Sequence, residues 1–257
     1  MMHSLSATEL LAAWEQGTGQ PPVYQALVLL AAACPEISFE ELARLPIGRR
    51  DACLLTLREW TFGQQLAGLA NCPGCGERLE MTLHTADIRR MVDPESLATP
   101  LEPATEEGEL FSLTMADYQA QFRLPNSLDL LTIVGQSGKL PDHRLLLERC
   151  LLATTHDGSA CTTADLPEQV IEAIVERMAT ADPLADTQLA LTCPTCSHQW
   201  TANFDIVSFF WEEINAWGPR ILAEVHTLAL VYGWRETDIL ALPSWRRRAY
   251  LELVARY

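Results

Sequence analysis

Two Cys-Pro-x-Cys pairs, far apart in the sequence, constrain this chain more than any other feature. The first pair is Cys72 and Cys75 in NCPGCGERLEMTL, and the second is Cys193 and Cys196 in LTCPTCSHQWTANF. Each pair lies between segments in which apolar and polar residues alternate, which is typical of strands. Such a turn points two sulfurs at one ion, and tetrahedral zinc binds four thiolates. The sequence therefore predicts one structural Zn²⁺ site in the strand, knuckle, strand arrangement of a zinc ribbon.

The residues alone leave other interpretations of the cysteines open. Two separate redox-active pairs are one alternative, although a thioredoxin-like pair opens a helix and these pairs precede strand-like segments. A site in which His198 replaces a cysteine is another. The long separation of the pairs is no obstacle, because loop-closure entropy grows only logarithmically with length. A catalytic zinc is disfavoured, since neither an HExxH motif nor a deaminase motif occurs.

Composition narrows the classes of partner. The 257 residues carry 18 basic and 34 acidic side chains, for a formal net charge of -16. A surface of that charge repels phosphate backbones and anionic lipid, so we expect no general binding of nucleic acid or membrane. The longest apolar run, residues 26–34, is too short to span a bilayer, and the N-terminal residues lack a signal-peptide pattern. We therefore expect a cytoplasmic protein.

Hydrophobic periodicity predicts an α+β fold that is predominantly helical. Ser38 and Glu41 form a potential capping box, and a long helix is predicted over about 47–69. Alternation predicts strands on both sides of each cysteine pair and a β-hairpin in LFSLTMADYQAQFRLP. Three helices are predicted after this hairpin, from NSLDLLTIVG, DHRLLLERCLLATT and LPEQVIEAIVERMATAD, with residues 155–165 as a loop between the last two.

These elements suggest three regions. Residues 1–84 hold the N-terminal helices and the first knuckle, residues 85–185 form an inserted hairpin-plus-helices region, and residues 186–257 hold the second knuckle and the C-terminal helices. Within the insertion, residues 93–109 carry three prolines and six acidic residues, which is typical of an exposed connector.

One short pattern occurs twice. LPIGRRDACLL at 45–55 and LPSWRRRAYLE at 242–252 share Leu-Pro-x-x-Arg-Arg-x-Ala-x-Leu, and a short helix is predicted before each. This repetition is explained either by a duplication or by the frequent occurrence of Leu-Pro at the start of a helix.

The C-terminal block, EVHTLALVYGWRETDILALPSWRRRAYLELV, resembles the baseplate hub assembly chaperones of T-even-type contractile phages and of phage-derived contractile injection systems. The resemblance rests on the aromatic-Gly-Trp turn at Trp234 and on the Leu-Pro and Arg-rich segment that ends in Tyr-Leu. It extends less closely to LPIGRRDACLLTLREWTFG, FRLPNSLDLL and both cysteine pairs, and the zinc ribbon itself departs from the smaller phage members.

The resemblance implies a non-enzymatic assembly chaperone or minor structural component whose partners are baseplate or hub proteins. Candidate partner-binding residues on the matching motif are Trp234, Arg246, Arg247, Arg248 and Tyr250. The residues also permit a zinc-ribbon adaptor of another cytoplasmic complex, or a thiol redox protein. No catalytic constellation occurs in the sequence, so we expect no enzyme activity.

Overall fold

The computed structural model describes residues 2–89, 109–137 and 143–256. The predicted acidic connector lies almost wholly outside these ranges. Helices are the main elements of the described residues. In chain order they are α1 (Ala7–Gly17), α2 (Pro22–Ala33), α3 (Phe39–Ala43), α4 (Ile47–Phe62), α5 (Thr85–Arg89), α6 (Ser127–Ser137), α7 (His143–Cys150), α8 (Glu168–Ala181), α9 (Ile206–Tyr232), α10 (Glu236–Leu240) and α11 (Ser244–Val254).

The strands form three small antiparallel sheets. They are β1 (Gln65–Asn71), β2 (Arg78–His84), β3 (Leu110–Met115), β4 (Tyr118–Arg123), β5 (Leu151–His156), β6 (Ser159–Ala160), β7 (Gln188–Thr192) and β8 (Gln199–Asn203). Strands β1 and β2 pair with each other, as do β7 and β8, while β3 to β6 form a four-stranded sheet in chain order. The α+β class, the strand predicted after the first cysteine pair and the strands predicted on both sides of the second pair are thus confirmed.

Local sequence signals explain several helix starts. Ser38 accepts a hydrogen bond from the backbone N–H of Glu41, and the Glu41 carboxylate accepts one from the N–H of Ser38, which confirms the predicted capping box. Asp205 caps α9 through the N–H of Val207. Pro46 and Pro243 stand immediately before α4 and α11. These caps fix where helices begin, so the breaks between elements follow from the sequence.

The main core lies where α1, α2, α4 and the first half of α9 meet. Leu27, Leu54 and Phe210 have no exposed surface there. A second cluster joins α1 to the rest of α9 and to α10, around Leu228 and Ile239. A third cluster packs the four-stranded sheet against α7 and α8. Burying each large apolar side chain contributes about 1.5–3 kcal/mol, so the first cluster dominates the stability of the helices.

Two of the predicted element boundaries are wrong. The helix predicted over 47–69 ends at Phe62, where Gly63 forms the C-cap, and Leu66 and Leu69 belong to strand β1 instead. The helix predicted through residue 154 ends at Cys150, and Leu151 begins strand β5, which pairs with β4. The insertion therefore contains a four-stranded sheet and not only a hairpin with helices. The division of the chain at residues 85 and 185 stays a prediction.

The start of α4 is closely covered by other parts of the chain. The backbone N–H of Gly48 donates to Oδ2 of Asp182 at 2.8 Å, and the N–H of Ile47 donates to the carbonyl of Pro125 at 3.1 Å. A Cβ atom at position 48 would lie 2.1 Å from Oδ1 of Asp182 and 2.8 Å from the backbone nitrogen of Ala185. Glycine is therefore required at position 48, because residues 182–186, which we call the covering segment, lie against the backbone of α4.

Gly48→Ala is expected to destabilise the protein because the covering segment must move away from α4. Overpacking of this kind costs about 1–3 kcal/mol, and we expect a lower midpoint of urea unfolding, followed by circular dichroism. Trp245→Ala, at the equivalent position of the second Leu-Pro pattern, is the matched control and is expected to change the free energy of unfolding by less than about 0.5 kcal/mol. Equal midpoints for wild type and Gly48→Ala would contradict the close approach.

Candidate metal centre

The four paired cysteines meet in one cluster. Sγ of Cys72 lies 3.6 Å from Sγ of Cys196, and Sγ of Cys75 lies 3.7 Å from Sγ of Cys193. All four sulfurs lie within 4.8 Å of one another. The long separation in sequence is bridged because α4 leads into the β1–β2 hairpin, whereas the β7–β8 hairpin leads into α9. The sequence prediction that the two pairs belong together is therefore supported by their placement.

Both turns have the same backbone hydrogen bonds. In the first, the N–H of Cys72 donates to the carbonyl of Glu77, and the N–H of Gly76 donates to the carbonyl of Cys72, each at 2.8 Å. In the second, the N–H of Cys193 donates to His198 and the N–H of Ser197 donates to Cys193, each at 2.9 Å. Gly76 and Ser197 take positive φ values of 77° and 59°, which the tight turn requires. The two hairpins thus present their sulfurs in equivalent ways.

The spacing of the sulfurs suits a tetrahedral ion. A Zn–S bond is about 2.3 Å, so the edge of a regular tetrahedron of sulfurs is about 3.8 Å. The two cross-pair distances, 3.6 and 3.7 Å, are close to this edge. They are much longer than the S–S bond of a disulfide, which is about 2.05 Å. Four cysteines in this arrangement could hold a metal ion.

The backbone around the cluster favours charged sulfur. The N–H of Cys196 lowers the pKa of the Cys193 thiol to about 6, against the effect of desolvation. At Cys75 the N–H of Glu77 also acts to lower the pKa, but hydrogen bonds among the neighbouring thiols and desolvation outweigh it and raise the pKa to about 12. The lowered pKa of Cys193 favours its thiolate form, and a bound cation would favour the loss of protons from the thiols that hold it.

His198 lies beside the cluster. Its ring stacks on Trp200 with a centroid separation of 6.1 Å. A Cβ atom at Gly74 would lie 3.0 Å from Cγ of His198, so the tip of the first turn lies against this ring. The contact holds the two hairpins together next to the sulfurs. No sequence pattern indicates this contact, because it depends on residues from different hairpins.

The candidate partner-binding residues lie at the other end of α9. Trp234 and Tyr250 are partly buried and form an aromatic cluster with Tyr232, with centroid separations between 4.8 and 5.7 Å. Arg247 is buried, donates to the carboxylate of Glu224 at 2.9 Å and also contacts the carbonyl of Leu242. Arg246 and Arg248 are exposed. The basic residues therefore divide into one that holds α11 on α9 and two that face outward.

A second group of potential metal ligands is formed by Asp117, His156 and Asp157, at the tips of the β3–β4 and β5–β6 hairpins. All three residues are exposed, and exposed acidic groups of this kind are common without a metal.

Among the residues that the structure describes, no helix combines the length and apolar character needed to cross a membrane.

Fold and cysteine cluster together define a helical α+β protein in which two distant hairpins meet at a potential metal site. The chain belongs to a family of phage baseplate proteins: the family described as T4 bacteriophage base plate protein matches residues 6–211. No curated protein and no solved structure matches the chain. The family match includes both cysteine pairs and ends before the C-terminal block that carries the resemblance to hub chaperones. Membership in a baseplate family supports a structural, non-enzymatic role and contacts with other baseplate proteins.

Proposed function

We propose that this chain is an assembly chaperone or minor structural component of the baseplate or hub of a contractile, phage tail-like injection system, acting in the cytoplasm where such particles are assembled. The family match over residues 6–211 carries the proposal, because it places the greater part of the chain, including both hairpins, in a baseplate family. The partners are then baseplate or hub proteins. The chaperone role rests additionally on the C-terminal motif.

The distribution of exposed apolar side chains supports a role in binding proteins. Many of the large hydrophobic residues at the surface lie between residues 222 and 253. They are Leu222, Leu230, Val231, Tyr232, Trp245 and Leu253. Leu230 and Trp245 are 76% and 70% exposed. Exposed apolar side chains grouped in one stretch of the chain, rather than scattered singly, favour a protein-binding site. A chaperone would use it to cover the apolar surface of an unassembled hub protein.

We further propose that Cys72, Cys75, Cys193 and Cys196 bind one structural Zn²⁺. Four thiolates are the usual closed ligand set of structural zinc, and the sulfur spacing fits that ion. The ion would supply no catalysis, since a catalytic zinc keeps an open position. It would fix the β1–β2 hairpin to the β7–β8 hairpin, and so fix the ends of α4 and α9 relative to each other.

Co-expression with the baseplate proteins encoded in the same gene cluster tests the role. We expect at least one of them to copurify with an affinity-tagged copy of this chain, and its soluble fraction to fall severalfold when the chain is omitted. Solubility is measured by quantitative gel analysis of the cleared lysate. If no baseplate protein copurifies and none loses solubility, the proposal is wrong, and the alternative of a zinc-ribbon adaptor in another cytoplasmic complex takes its place.

A further inference from the structure

The repeated Leu-Pro-x-x-Arg-Arg pattern is accompanied by repeated structure. We call residues 22–54 the first copy and residues 219–251 the second copy. The first copy consists of α2, the five-residue helix α3 and the start of α4. The second copy consists of the end of α9 from Pro219, the five-residue helix α10 and α11. The elements therefore follow in the same order at matching positions.

Equivalent residues also have equivalent environments. Leu42 and Ile239, at matching positions of the five-residue helices, have no exposed surface. Arg50 and Arg247, the second arginines of the two patterns, are 4% and 5% exposed, and each donates to a carboxylate. A burial pattern shared to this extent is not explained by the helix-starting habit of Leu-Pro alone. The two copies can therefore be compared position by position.

The copies differ at the N-terminus of their last helix. In the first copy, this terminus is occupied: the N–H of Gly48 donates to the carboxylate of Asp182, and the N–H of Ile47 donates to Pro125. The covering segment continues into the short helix Pro183–Asp186, and its Leu184 is buried in the main core. An acidic segment of the chain thus serves as the ligand of the first copy.

In the second copy, the same terminus is open. Trp245 stands at the position of Gly48 and is 70% exposed, and Pro243 and Ser244 beside it are also exposed. Within the described residues, nothing accepts a hydrogen bond from the backbone N–H groups of Ser244 or Trp245. A large exposed tryptophan is a frequent anchor of protein interfaces, and free N–H groups at a helix start favour anions.

The charge around this terminus selects the kind of ligand. Residues 234–256 carry five arginines and three acidic residues, and one of these arginines, Arg247, is paired with Glu224 of α9. The chain as a whole has a net charge of -16. Arg246 and Arg248 are exposed, and the guanidinium of Arg246 lies 5.9 Å from the ring centre of Tyr250. This end of the molecule therefore attracts acidic protein segments that the remainder of the surface repels.

We propose that the start of α11 binds a short acidic segment of a partner baseplate protein, whose carboxylate accepts a hydrogen bond from the backbone N–H groups of Ser244 and Trp245. It does so from further out than Asp182 at α4, because the Cβ atom of Trp245 excludes the position that Asp182 takes. An apolar residue of that segment packs on Trp245, because the tryptophan prevents the close backbone approach seen at Gly48. The chain's own covering segment is unavailable, since it is buried at α4. This inference rests on the proposed baseplate role, and it names the surface and the chemistry of the partner.

Titration of the chain with each purified baseplate protein from the same gene cluster tests the proposal. We expect Trp245→Ala to weaken binding at least tenfold, measured as Kd by isothermal titration calorimetry. The double variant Arg246→Glu, Arg248→Glu is expected to weaken binding similarly. Its affinity should also fall less steeply than that of the wild type when NaCl is raised from about 0.05 M to 0.5 M. Trp60→Ala is the matched control, because Trp60 is a 48% exposed tryptophan on α4, the equivalent helix of the first copy.

The outcomes separate this inference from the proposed function. If the wild-type chain binds no baseplate protein, the proposed function fails and the inference fails with it. If the wild type binds and Trp245→Ala binds equally well, the baseplate role stands and the inference is overturned. A photo-crosslinking amino acid at position 245 identifies the ligand by mass spectrometry. Crosslinks to an acidic segment of the partner support the proposal, whereas crosslinks to a basic segment, to this chain itself or to nothing overturn it.

Discussion

Cys72→Ser is expected to remove the metal from the whole site, although three cysteines remain. Serine is a poor zinc ligand, and the proposed ion is shared by both hairpins. Zinc content is expected to fall from about one ion per chain to a small fraction of that value after gel filtration with a chelator. Because a ligand at about 1,000 times its Kd adds about 4 kcal/mol, the free energy of unfolding should fall by a similar amount. Plasma mass spectrometry and urea unfolding provide the two measurements.

The effect of Cys72→Ser on the second hairpin distinguishes one site from two. Loss of the shared ion should increase hydrogen exchange in β7 and β8 as well as in β1 and β2, although the substitution lies in the first hairpin. Cys161→Ser is the control, because Cys161 lies outside the cluster and should leave zinc and exchange unchanged. Full zinc content with normal exchange in β7 and β8 would mean that the hairpins are independent.

The cysteine cluster is the feature that sequence reasoning predicted best. Cys-Pro-x-Cys turns are defined by a few adjacent residues, so their local structure does not depend on the fold around them. The capping box of Ser38 and the hairpin turn before Tyr118 were predictable for the same reason. The surroundings of the sulfurs could not be predicted from the sequence, because the contact between His198 and Gly74 joins residues of two hairpins.

The wrong boundaries have a common physical cause. Leu66 and Leu69 continue the helical spacing of α4, and Leu151 continues that of α7, so periodicity alone favours longer helices. The segment of Leu66 and Leu69 instead pairs with β2 in a hairpin, and the segment of Leu151 pairs with β4, so strand pairing overrides the helical spacing. Short apolar runs next to a helix are ambiguous for this reason. The contact of Asp182 with Gly48 could not be predicted from the sequence either, because Asp182 lies 134 positions after Gly48.

Packing between α4 and α9 depends on one buried ion pair as well as on apolar contacts. The side chain of Arg58 on α4 is 2% exposed. Its Nε and one terminal nitrogen donate to the two carboxylate oxygens of Glu213 on α9, at 2.8 and 2.6 Å. The other terminal nitrogen donates to the carbonyl of Gly63 at 2.7 Å. This bidentate pair joins the same two helices that the proposed zinc site joins through their hairpins.

Glu213→Ala is expected to destabilise the protein strongly, because it leaves the buried Arg58 charge without its partner. Breaking such a pair costs about 3–5 kcal/mol, and the 29% exposure of Glu213 favours the lower end of this range. Glu40→Ala is the matched control: it removes a 2.6 Å ion pair to Arg44, but Glu40 is 68% exposed, so the loss should stay below about 1 kcal/mol. Replacing both partners, as Arg58→Met with Glu213→Leu, should recover much of the loss, because no unpaired charge remains. Equal urea midpoints for Glu213→Ala and Glu40→Ala would mean that solvent screens the Arg58 pair as fully as the surface pair.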